Sequence, residues 1–293
     1  MINQMNEIVV VGSGAWGSAL AETFEAEIIA GRAEAKCDLS NKIVVIAVQA
    51  QSLREVLLKH NYENSIIVIC SKGVEQGSLK LLSEVAEEIL PDNKIAILSG
   101  PNFAEEIQKG LPAASTVSCK DEEIGRELIE KLGKRNFRLY YTKDIIGVQI
   151  AGAVKNVLAI ACGICEGKKL GNNAKAAIIT RGVAELARLC KAKGGDDVTL
   201  LSLAGIGDLL LTCTSTQSRN FSLGVEIAKS EDIQASIKEK GGVKEGYYTA
   251  KAVNELAKSL DVEMPICKSV FDILYKDKTV NDVINELLQR PQK

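Results

Sequence analysis

The chain has 293 residues, of which 46% are apolar and 25% are charged, and its formal net charge is −2. These proportions are typical of a globular protein that is long enough for two domains. The near-neutral charge excludes a basic field that would attract nucleic acid or anionic lipid. No uninterrupted apolar run approaches the ~20 residues that span a bilayer, and the amino-terminal segment leads into a strand rather than a signal peptide. We therefore expect no membrane partner and no nucleic-acid partner.

The cysteines and the single histidine narrow the possible chemistry. Eight cysteines lie scattered in apolar segments without the spacing of a disulfide or zinc framework, so we expect reduced thiols in a cytoplasmic protein without a metal site. We interpret the close pair Cys162 and Cys165 as packing residues. His60 lies at a predicted helix end, where a surface cap is the favoured interpretation. An enzyme of this composition therefore needs a lysine, carboxylate, tyrosine or cysteine as its base.

A glycine-rich turn follows the first apolar run. The stretch "NEIVVVGSGAWGSALAETF" predicts a strand, a turn and a helix of small residues. In its G-x-G-x-x-G pattern Gly12 permits the tight turn, Gly14 lets the backbone approach a pyrophosphate, and Gly17 lets the helix pack on the strand. Because the pattern lies between a predicted strand and a predicted helix, we favour a dinucleotide site over a purely structural turn. Trp16 is consistent with packing against a nicotinamide or with closing the turn.

Short apolar runs alternate with amphipathic helices through the first half of the chain. Strand-like runs occur at 42–48, 65–70, 94–100, 112–120 and 136–143. This alternation predicts an α/β domain with a parallel, doubly wound sheet of the Rossmann type. Beyond it the pattern is helical, with segments at 145–165, 173–192, 198–213, 219–230, 246–260 and 266–275. We therefore expect a dinucleotide-binding domain over 1–143 and an all-helical substrate domain over 144–293.

The segment after Phe24 is short for the expected fold. A dinucleotide-binding sheet needs a second strand whose end reads the adenosine ribose about 20 residues past the glycines, followed by a crossover to a further strand. Residues 25–41 do not have room for all of these elements. Either the natural chain is contracted here or a segment is absent. The glycine pattern favours an absent segment, and we predict a break in the chain near 24–27.

Lys155 and Asn156 stand together inside the apolar stretch "GVQIAGAVKNVLAI", whose neighbouring turns hold no carboxylate. An unpaired ammonium is costly to bury, so it either reaches solvent or is kept for chemistry. A lysine in an apolar pocket near other cations has a lowered pKa and can exchange a proton with a substrate oxygen. We favour this role over a lysine that reaches solvent. Asn156 is equally consistent with a substrate contact and with a structural role.

Other polar residues carry two interpretations each. Lys72 follows the carboxyl end of a strand, where doubly wound sheets bind ligands, but an exposed loop lysine is the alternative. Asp208 is consistent with a helix cap or with a partner that orients an ammonium. The string "SRN" offers a hydroxyl, a guanidinium and an amide to a phosphate. Alternatively, Ser218 and Asn220 cap a helix and Arg219 is a solvated charge.

Several strings of the sequence occur in a characteristic order. They are "GSGAWGSALA", "SKGVE", "LSGPNFAEEI", "GVQIAGAVKNVLAI", "NAKAAIITRGVAEL", "GIGDLLLTCTSTQSRN", "VKEGYYTAKAV" and "EMPI". In this order they closely resemble bacterial NAD(P)-dependent glycerol-3-phosphate dehydrogenases, apart from the short stretch after Phe24. The resemblance implies a Rossmann-type domain, a helical domain, and interconversion of sn-glycerol 3-phosphate and dihydroxyacetone phosphate with NAD(P)(H). It also implies a supply of glycerol phosphate for phospholipid synthesis, and a homodimer is consistent with the family.

The resemblance implies roles for individual residues. The lysine of the family's "AVKN" string, the proton acceptor, falls on Lys155. The implied catalytic residues are Lys155, Asp208 and Lys72. The implied substrate contacts are Lys72, Gly100, Asn102, Lys155, Asp208, Ser218, Arg219 and Asn220, and many family members have serine or threonine at the position of Asn102. The implied cofactor contacts, glycine turn included, are Gly12, Gly14, Ala15, Trp16, Gly17, Lys72, Ala104, Arg219, Val243 and Glu245.

Two alternative functions stay open at this point. One is a related two-domain dehydrogenase that acts on another hydroxy acid, such as 6-phosphogluconate or ketopantoate. The other is a Rossmann protein without catalytic activity that binds a nucleotide as a sensor, which a genuine deletion after Phe24 would favour. The string "LTCTSTQSRN" favours glycerol phosphate over the first alternative. The joint presence of Lys155, Lys72, Asp208 and Arg219 disfavours the second.

Overall fold

The structure is a computed structural model that describes residues 7–31, 35–230, 233, 237 and 245–291. Its first half forms a seven-stranded sheet. The strands are β1 (Ile8–Val11), β2 (Glu27–Ile29), β3 (Ile43–Ile46), β4 (Ile66–Ile69), β5 (Lys94–Ser99), β6 (Ala113–Cys119) and β7 (Phe137–Thr142). The central strands are runs of valine and isoleucine, which suit a pleated surface that is buried on both faces. Each strand-like run of the sequence therefore forms a strand.

The sheet has the order β2-β1-β3-β4-β5-β6-β7, with every pair parallel except β5 and β6. Helices α1 (Ala15–Phe24), α2 (Leu53–Lys59), α3 (Leu82–Ile89), α4 (Ala104–Gln108) and α5 (Glu122–Leu132) belong to this half. Alternate residues of one strand enter different cores: Val9 and Val11 join one apolar cluster, and Val10 joins another. The sheet is therefore covered on both faces, as the sequence predicts.

The chain continues without interruption from α1 into β2, so the predicted break near 24–27 is wrong. Glu25 ends the helix in the left-handed conformation with φ 55°, and the Ala26 N–H donates to the Ala21 carbonyl oxygen at 2.9 Å. This left-handed helix end turns the chain within two residues. The turn leaves just enough length for β2, a strand of three residues.

β2 forms an outer edge of the sheet and pairs with β1 alone. In the usual dinucleotide-binding order a further strand lies beyond this position. Here residues 30–42 lead directly to β3, and those of them that the structure describes contain no helix and only an isolated bridge between Asp38 and Asn61. The sheet is thus contracted at the edge that usually faces the adenosine. A contracted chain is the explanation that the sequence analysis disfavoured.

The second half is helical in the part of the chain that the structure describes. Its helices are α6 (Ile145–Gly167), α7 (Gly171–Lys193), α8 (Asp208–Thr214), α9 (Arg219–Lys229), α10 (Glu245–Ser259), α11 (Pro265–Tyr275) and α12 (Val280–Leu288). The predicted single helix over 198–213 is wrong, because a 3-10 turn (Asp197–Leu201) and a π turn (Leu203–Gly207) precede α8. Gly205 has non-helical backbone angles at that point. The sequence analysis did not predict α12.

Helix α6 is the central helix of the second half. It is long and apolar enough to cross a membrane by composition, but 89% of its most apolar 18-residue window is buried inside the protein. Glycines bring α9 into direct contact with it: a Cβ on Gly163 would lie 2.0 Å from the Phe221 carbonyl oxygen, and one on Gly224 would lie 2.1 Å from that of Ile160. This close packing places the start of α9 beside the middle of α6.

Candidate active site

The carboxyl ends of four neighbouring strands form one continuous edge. A Cβ on Gly12, after β1, would lie 2.4 Å from a carbonyl oxygen at the end of β3. The Ser71 hydroxyl, after β4, donates to the Val48 carbonyl oxygen at 2.6 Å. The next residue, Lys72, donates from Nζ to the Gly100 carbonyl oxygen, after β5, at 3.3 Å. Ligands of doubly wound sheets bind at such an edge, where the chain leaves adjacent strands in opposite directions.

The three motif glycines differ in their surroundings. Gly12 has φ +122°, and a Cβ on Gly17 would lie 1.8 Å from the Gly12 carbonyl oxygen. Neither position accepts a side chain, because the turn closes onto its own backbone. Around Gly14 a Cβ would meet no atom within 4 Å. The space above Gly14 is therefore available to an external group.

The start of α1 suits an anion. Gly14 caps the helix without a side-chain hydrogen bond, and its first turn contains no acidic residue. The free N–H groups and the helix dipole at such an end attract phosphate oxygens. Ala15 is exposed at this end. Trp16 is half-buried and packs against the apolar cluster under α1, so its ring serves at least in part to close the turn.

A buried carboxylate joins two lysines from distant parts of the chain. Asp208 is 1% exposed; its Oδ1 accepts from Lys155 Nζ at 2.5 Å and its Oδ2 accepts from Lys72 Nζ at 2.6 Å. Lys155 is itself only 7% exposed, so it does not reach solvent. We call Lys72, Lys155 and Asp208 the lysine–aspartate cluster. It connects the sheet edge to α6 and α8.

Burial and charge shift the pKa values of the cluster in opposite directions. Burial, aided by the nearby charge of Lys72, lowers the pKa of Lys155 to about 8 against the attraction of Asp208. Burial alone would raise the pKa of Asp208, but the two ammonium groups outweigh it and hold that pKa below its usual value. The cluster therefore contains a lasting carboxylate and an amine that can gain or lose a proton near neutral pH.

Thr212 is a further member of this environment that the sequence analysis missed. Its hydroxyl accepts from Lys155 Nζ at 2.9 Å and donates to the Asp208 carbonyl oxygen at 2.6 Å. It lies one helical turn after Asp208 on α8, and this i, i+4 spacing in "GDLLLTC" is the signal that could have identified it. The π turn (Leu203–Gly207) directly precedes Asp208, the first residue of α8.

The residues of "SRN" fall into three different environments. Ser218 is buried and caps α9, because its hydroxyl accepts from the Phe221 N–H at 3.2 Å. Arg219 is exposed and makes no hydrogen bond or ion pair with another described residue. The Asn220 amide donates to Asn156 Oδ1 at 3.0 Å and accepts from the Gly246 N–H at 3.1 Å. Of these three side chains, only that of Arg219 is exposed.

Glu245 reaches from the helical half back to the sheet edge. Its carboxylate accepts from the Ala50 N–H at 3.3 Å, and a Cβ on Gly73 would lie 3.2 Å from its Oε1. Burial raises the pKa of Glu245 to about 7, against the opposing effects of the Ala50 N–H and the charge of Arg219. Glu245 therefore lies beside the loop that carries Lys72. The other predicted residue of this string, Val243, lies outside the described residues.

The loop after β5 holds three more predicted residues. A Cβ on Gly100 would lie 2.8 Å from the backbone of Ser115, so this glycine is required for packing against β6. The Asn102 amide donates to Ser115 Oγ at 2.6 Å, and its Oδ1 is buried without a hydrogen-bond partner among the described residues. Ala104 is half-buried and begins α4, which packs against α1. Gly100 contacts the lysine–aspartate cluster directly, through Lys72.

The single histidine takes no part in the site. His60 is buried, contrary to the surface position that we expected, and its Nδ1 accepts from the Cys37 N–H at 3.1 Å. Burial lowers its pKa. Within the described ranges the cysteines form no disulfide, and no group of three or more histidine, cysteine, aspartate or glutamate residues is arranged to hold a metal ion. The titratable groups at the site are therefore lysines and carboxylates.

Comparison with known proteins gives matches along both halves of the chain. Residues 32–125 match the family model for the N-terminus of NAD-dependent glycerol-3-phosphate dehydrogenase, and residues 144–285 match the model for its C-terminus. Glycerol-3-phosphate dehydrogenase [NAD(P)+] of Caulobacter vibrioides is 44% identical over an alignment that covers 98% of each chain. The enzyme of that name from Rhodospirillum rubrum is 42% identical, over 99% of this chain and 94% of the relative.

The alignment with the Caulobacter relative contains gaps, and a solved structure also matches this chain. The alignment with the Caulobacter protein has 324 positions, more than the 293 residues of this chain, so it contains gaps in this chain. The crystal structure of glycerol-3-phosphate dehydrogenase from Coxiella burnetii matches with a TM-score of 0.89 and 33% identity, over 98% of this chain and 99% of that one. The chain therefore belongs to the NAD-dependent glycerol-3-phosphate dehydrogenase family.

Proposed function

We propose that the protein interconverts sn-glycerol 3-phosphate and dihydroxyacetone phosphate with NAD(P)(H). The observation that carries this proposal is the lysine–aspartate cluster, in which a buried amine with a pKa of about 8 lies at the carboxyl edge of a dinucleotide-binding sheet. Oxidation of a secondary alcohol requires a base for the hydroxyl proton, and reduction of the ketone requires a donor to the same oxygen. Lys155 meets both requirements, since its pKa of about 8 lets it gain or lose a proton near neutral pH.

The residues at the glycine turn fit a dinucleotide. The open space above Gly14 and the uncapped start of α1 suit a pyrophosphate, and Gly12 and Gly17 hold the turn in that shape. NAD(P), when bound, accepts or supplies the hydride at its nicotinamide ring. Further cofactor contacts that we propose from the family are Ala15, Trp16, Lys72, Ala104, Arg219, Val243 and Glu245.

The charged cluster determines the proton chemistry. In the oxidation direction neutral Lys155 takes the proton of the substrate hydroxyl; in the reduction direction its ammonium returns a proton to the carbonyl oxygen. Asp208 holds the amine in place and stabilises the ammonium. Lys72 adds a second positive charge, which keeps the pKa of Lys155 low and favours an oxyanion. Asp208 and Thr212 each accept a hydrogen bond from Lys155 Nζ, which leaves its third direction for the substrate oxygen.

Arg219 is the residue that we expect to bind the substrate phosphate. Its guanidinium is exposed and unpaired among the described residues, and a guanidinium can bind a phosphate through two hydrogen bonds. The family adds Gly100, Asn102, Ser218 and Asn220 as substrate contacts. The Ser218 hydroxyl already accepts a helix-capping bond, so we expect it to offer a ligand only its remaining donor.

Several broader features of the family complete the proposal. We propose a domain boundary between residues 143 and 144, because β7 ends at Thr142 and α6 begins at Ile145. A cytoplasmic location agrees with cysteines that form no disulfide in the described residues. We also propose a role in supplying glycerol phosphate for phospholipid synthesis, and a homodimer as the working assembly.

One assay separates this function from the two alternatives. The absorbance of NADH or NADPH is followed with dihydroxyacetone phosphate as substrate, and we expect oxidation of at least one of the two cofactors. Turnover only with other ketones would indicate the related hydroxy-acid enzyme. Absence of turnover with any ketone would leave the nucleotide sensor.

Lys155→Ala tests the role of the buried lysine in proton transfer. Because it removes the proton donor and acceptor, we expect kcat to fall by about 10²–10⁴-fold while cofactor affinity changes little. Lys175→Ala is the matched control: this lysine lies in the same helical half but pairs with Glu166 away from the cluster, and we expect full activity. Retained turnover in Lys155→Ala would contradict the acid–base role.

A further inference from the structure

The carboxyl end of β2 lies directly beside the glycine turn. β1 and β2 run parallel with Val11 opposite Ile29, and the Gly12 N–H donates to the Ile29 carbonyl oxygen at 2.8 Å. Ala30 continues this register by one residue and therefore lies level with Gly12. A Cβ on Gly31 would lie 3.8 Å from Gly12 Cα. In dinucleotide-binding sheets the adenosine ribose is recognised from this end of the second strand.

The two described residues after β2 offer the ribose no polar side chain. An acidic residue at this point binds the 2′-hydroxyl of NAD, whereas an arginine accommodates the 2′-phosphate of NADP. This chain has Ala30 and Gly31 there, whose side chains form no hydrogen bonds. A Cβ on Gly31 would lie 2.7 Å from Val48 Cγ1, so an apolar side chain fills the space beside this glycine. The end of β2 therefore distinguishes neither form of the ribose.

The described carboxylates that flank β2 in the sequence lie at the opposite edge of the sheet. Glu25 ends α1 and Glu27 begins β2, so both lie at the amino end of the strand. A strand rises about 3.3 Å per residue, which separates Glu27 from Ala30 by about 10 Å. Asp38 forms a parallel bridge with Asn61, which lies ahead of β4. These carboxylates are therefore on the wrong side to bind the ribose.

The contraction of the chain leaves this end of β2 uncovered. β2 is the outer strand of the sheet, and the described residues between it and β3 form no helix. Ala30 is exposed, and Ile28 on the same strand is 39% exposed. No further strand lies beyond β2 to supply a ribose contact in place of Ala30. Solvent and apolar groups therefore surround the position where the fold usually recognises the ribose.

We propose that the carboxyl end of β2, through Ala30 and Gly31, leaves the 2′ position of the adenosine ribose unrecognised, so that the chain binds NADH and NADPH with nearly equal affinity. This inference rests on the proposed function and deepens its cofactor site. The open, uncapped start of α1 holds the pyrophosphate, which both cofactors share. Ala30 is the specificity-determining position, because a carboxylate there would create a preference that the natural chain lacks.

Equilibrium dialysis of the full chain tests the proposal without relying on turnover. The probes are NADH, NADPH and the NADH analogue whose adenosine ribose lacks the 2′-hydroxyl. A site that binds a hydroxyl rejects the analogue without it, whereas an apolar site distinguishes the two poorly. We therefore expect the three dissociation constants to agree within about threefold. A preference of about tenfold or more for any one probe would overturn the proposal.

Ala30→Asp places an acidic residue at the proposed specificity position. Because Ala30 is exposed, the substitution requires no repacking of the core. The new carboxylate accepts from the ribose hydroxyl and repels a 2′-phosphate, so we expect the ratio of the NADPH to the NADH dissociation constant to rise by about tenfold or more. Ala30→Asn has the same size without the charge and is the matched control, with a ratio within about threefold of the wild type. An unchanged ratio in Ala30→Asp would contradict a ribose at the end of β2.

Two further outcomes separate this inference from the proposed function. Arg32 follows Gly31 in the sequence and lies outside the described residues. A wild-type preference for NADPH that Arg32→Ala abolishes would overturn the inference, because the 2′-phosphate would then be recognised. Failure of the wild-type chain to bind either dinucleotide would refute the proposed function together with the inference. Equal binding of both dinucleotides without turnover would refute the proton-transfer role of Lys155 and support the inference.

Discussion

The lysine–aspartate cluster differs from the glycine turn and from Arg219 in whether its polar groups have partners within the protein. In the cluster every charge meets a partner within the protein, at 2.5 and 2.6 Å, and Lys155 and Asp208 are buried. At the glycine turn the space above Gly14 is open, and the start of α1 has no side-chain cap. Arg219 likewise has no hydrogen bond or ion pair within the described part of the chain. The lysine–aspartate cluster is thus preassembled, whereas the start of α1 and Arg219 are left to find their partners on a ligand.

The difference follows from where each group lies. A charge removed from water is strongly destabilising unless a partner of opposite sign accompanies it. The charges of the cluster therefore need partners of opposite sign within the protein. Exposed groups at the edge of the cleft carry no such requirement. Preassembly also fixes the positions of the groups that exchange a proton, and this lowers the reorganisation needed at the moment of reaction. We therefore expect substitutions in the two regions to have different consequences.

The largest expected effect comes from Asp208→Ala. It leaves two ammonium groups close together without their carboxylate, and breaking a buried ion pair costs about 3–5 kcal/mol. We expect a loss of that size in the free energy of unfolding, together with loss of turnover. Chemical denaturation monitored by circular dichroism measures the first and the cofactor assay measures the second. Unchanged stability would mean that the cluster is solvated rather than buried.

A pair of glycine substitutions in the same turn sharpens the comparison. Gly17→Ala places a methyl group against the Gly12 carbonyl oxygen, so we expect a loss of stability of about 1–3 kcal/mol or more. Gly14→Ala meets no protein atom, so we expect a melting temperature close to that of the wild type and an apparent cofactor KM raised about tenfold. Thermal melting and cofactor titration measure the two effects. Normal cofactor binding by Gly14→Ala would contradict a pyrophosphate site above Gly14.

The smallest effect on the fold is expected for Arg219→Ala. The side chain is exposed, so stability should change by less than about 0.5 kcal/mol. Loss of a guanidinium that binds phosphate should raise the substrate KM by about ten- to a hundredfold with a smaller change in kcat. Arg126→Ala, which removes an exposed arginine of α5, is the control. An unchanged KM in Arg219→Ala would mean that the guanidinium faces solvent in the complex.

The sequence predicts the sheet and the glycine turn well because both depend on local patterns. Runs such as "KIVVIAV" encode buried strands in their own residues, and the glycine pattern encodes the turn that follows β1. The partner of Lys155 is different. Asp208 lies 53 positions away, and no local pattern shows that a carboxylate from α8 meets an amine of α6. The sequence supports a poised lysine at that position, but only the packing of the helices supplies its partner.

Two errors have a common physical cause. The break near 24–27 was inferred because the segment is too short for the usual strands, yet Glu25 turns the chain within two residues and the sheet simply lacks an outer strand. The helix predicted over 198–213 fails at Gly205, whose backbone angles are non-helical and where a Cβ would lie 2.1 Å from the Leu200 carbonyl oxygen. In both cases a tertiary contact or a single unusual backbone angle outweighs a regular pattern.

The most direct test of the central claim is the pH dependence of kcat/KM for oxidation of glycerol 3-phosphate. In the folded protein the pKa of Lys155 is about 8, below the usual 10.5, so the base is charged and inactive at lower pH. We predict that the rate rises about tenfold per pH unit up to pH ~8 and then levels off, and that reduction of dihydroxyacetone phosphate declines above the same pH. A profile that is flat through this range, or that changes only near pH 10.5, would contradict a buried lysine as the proton acceptor.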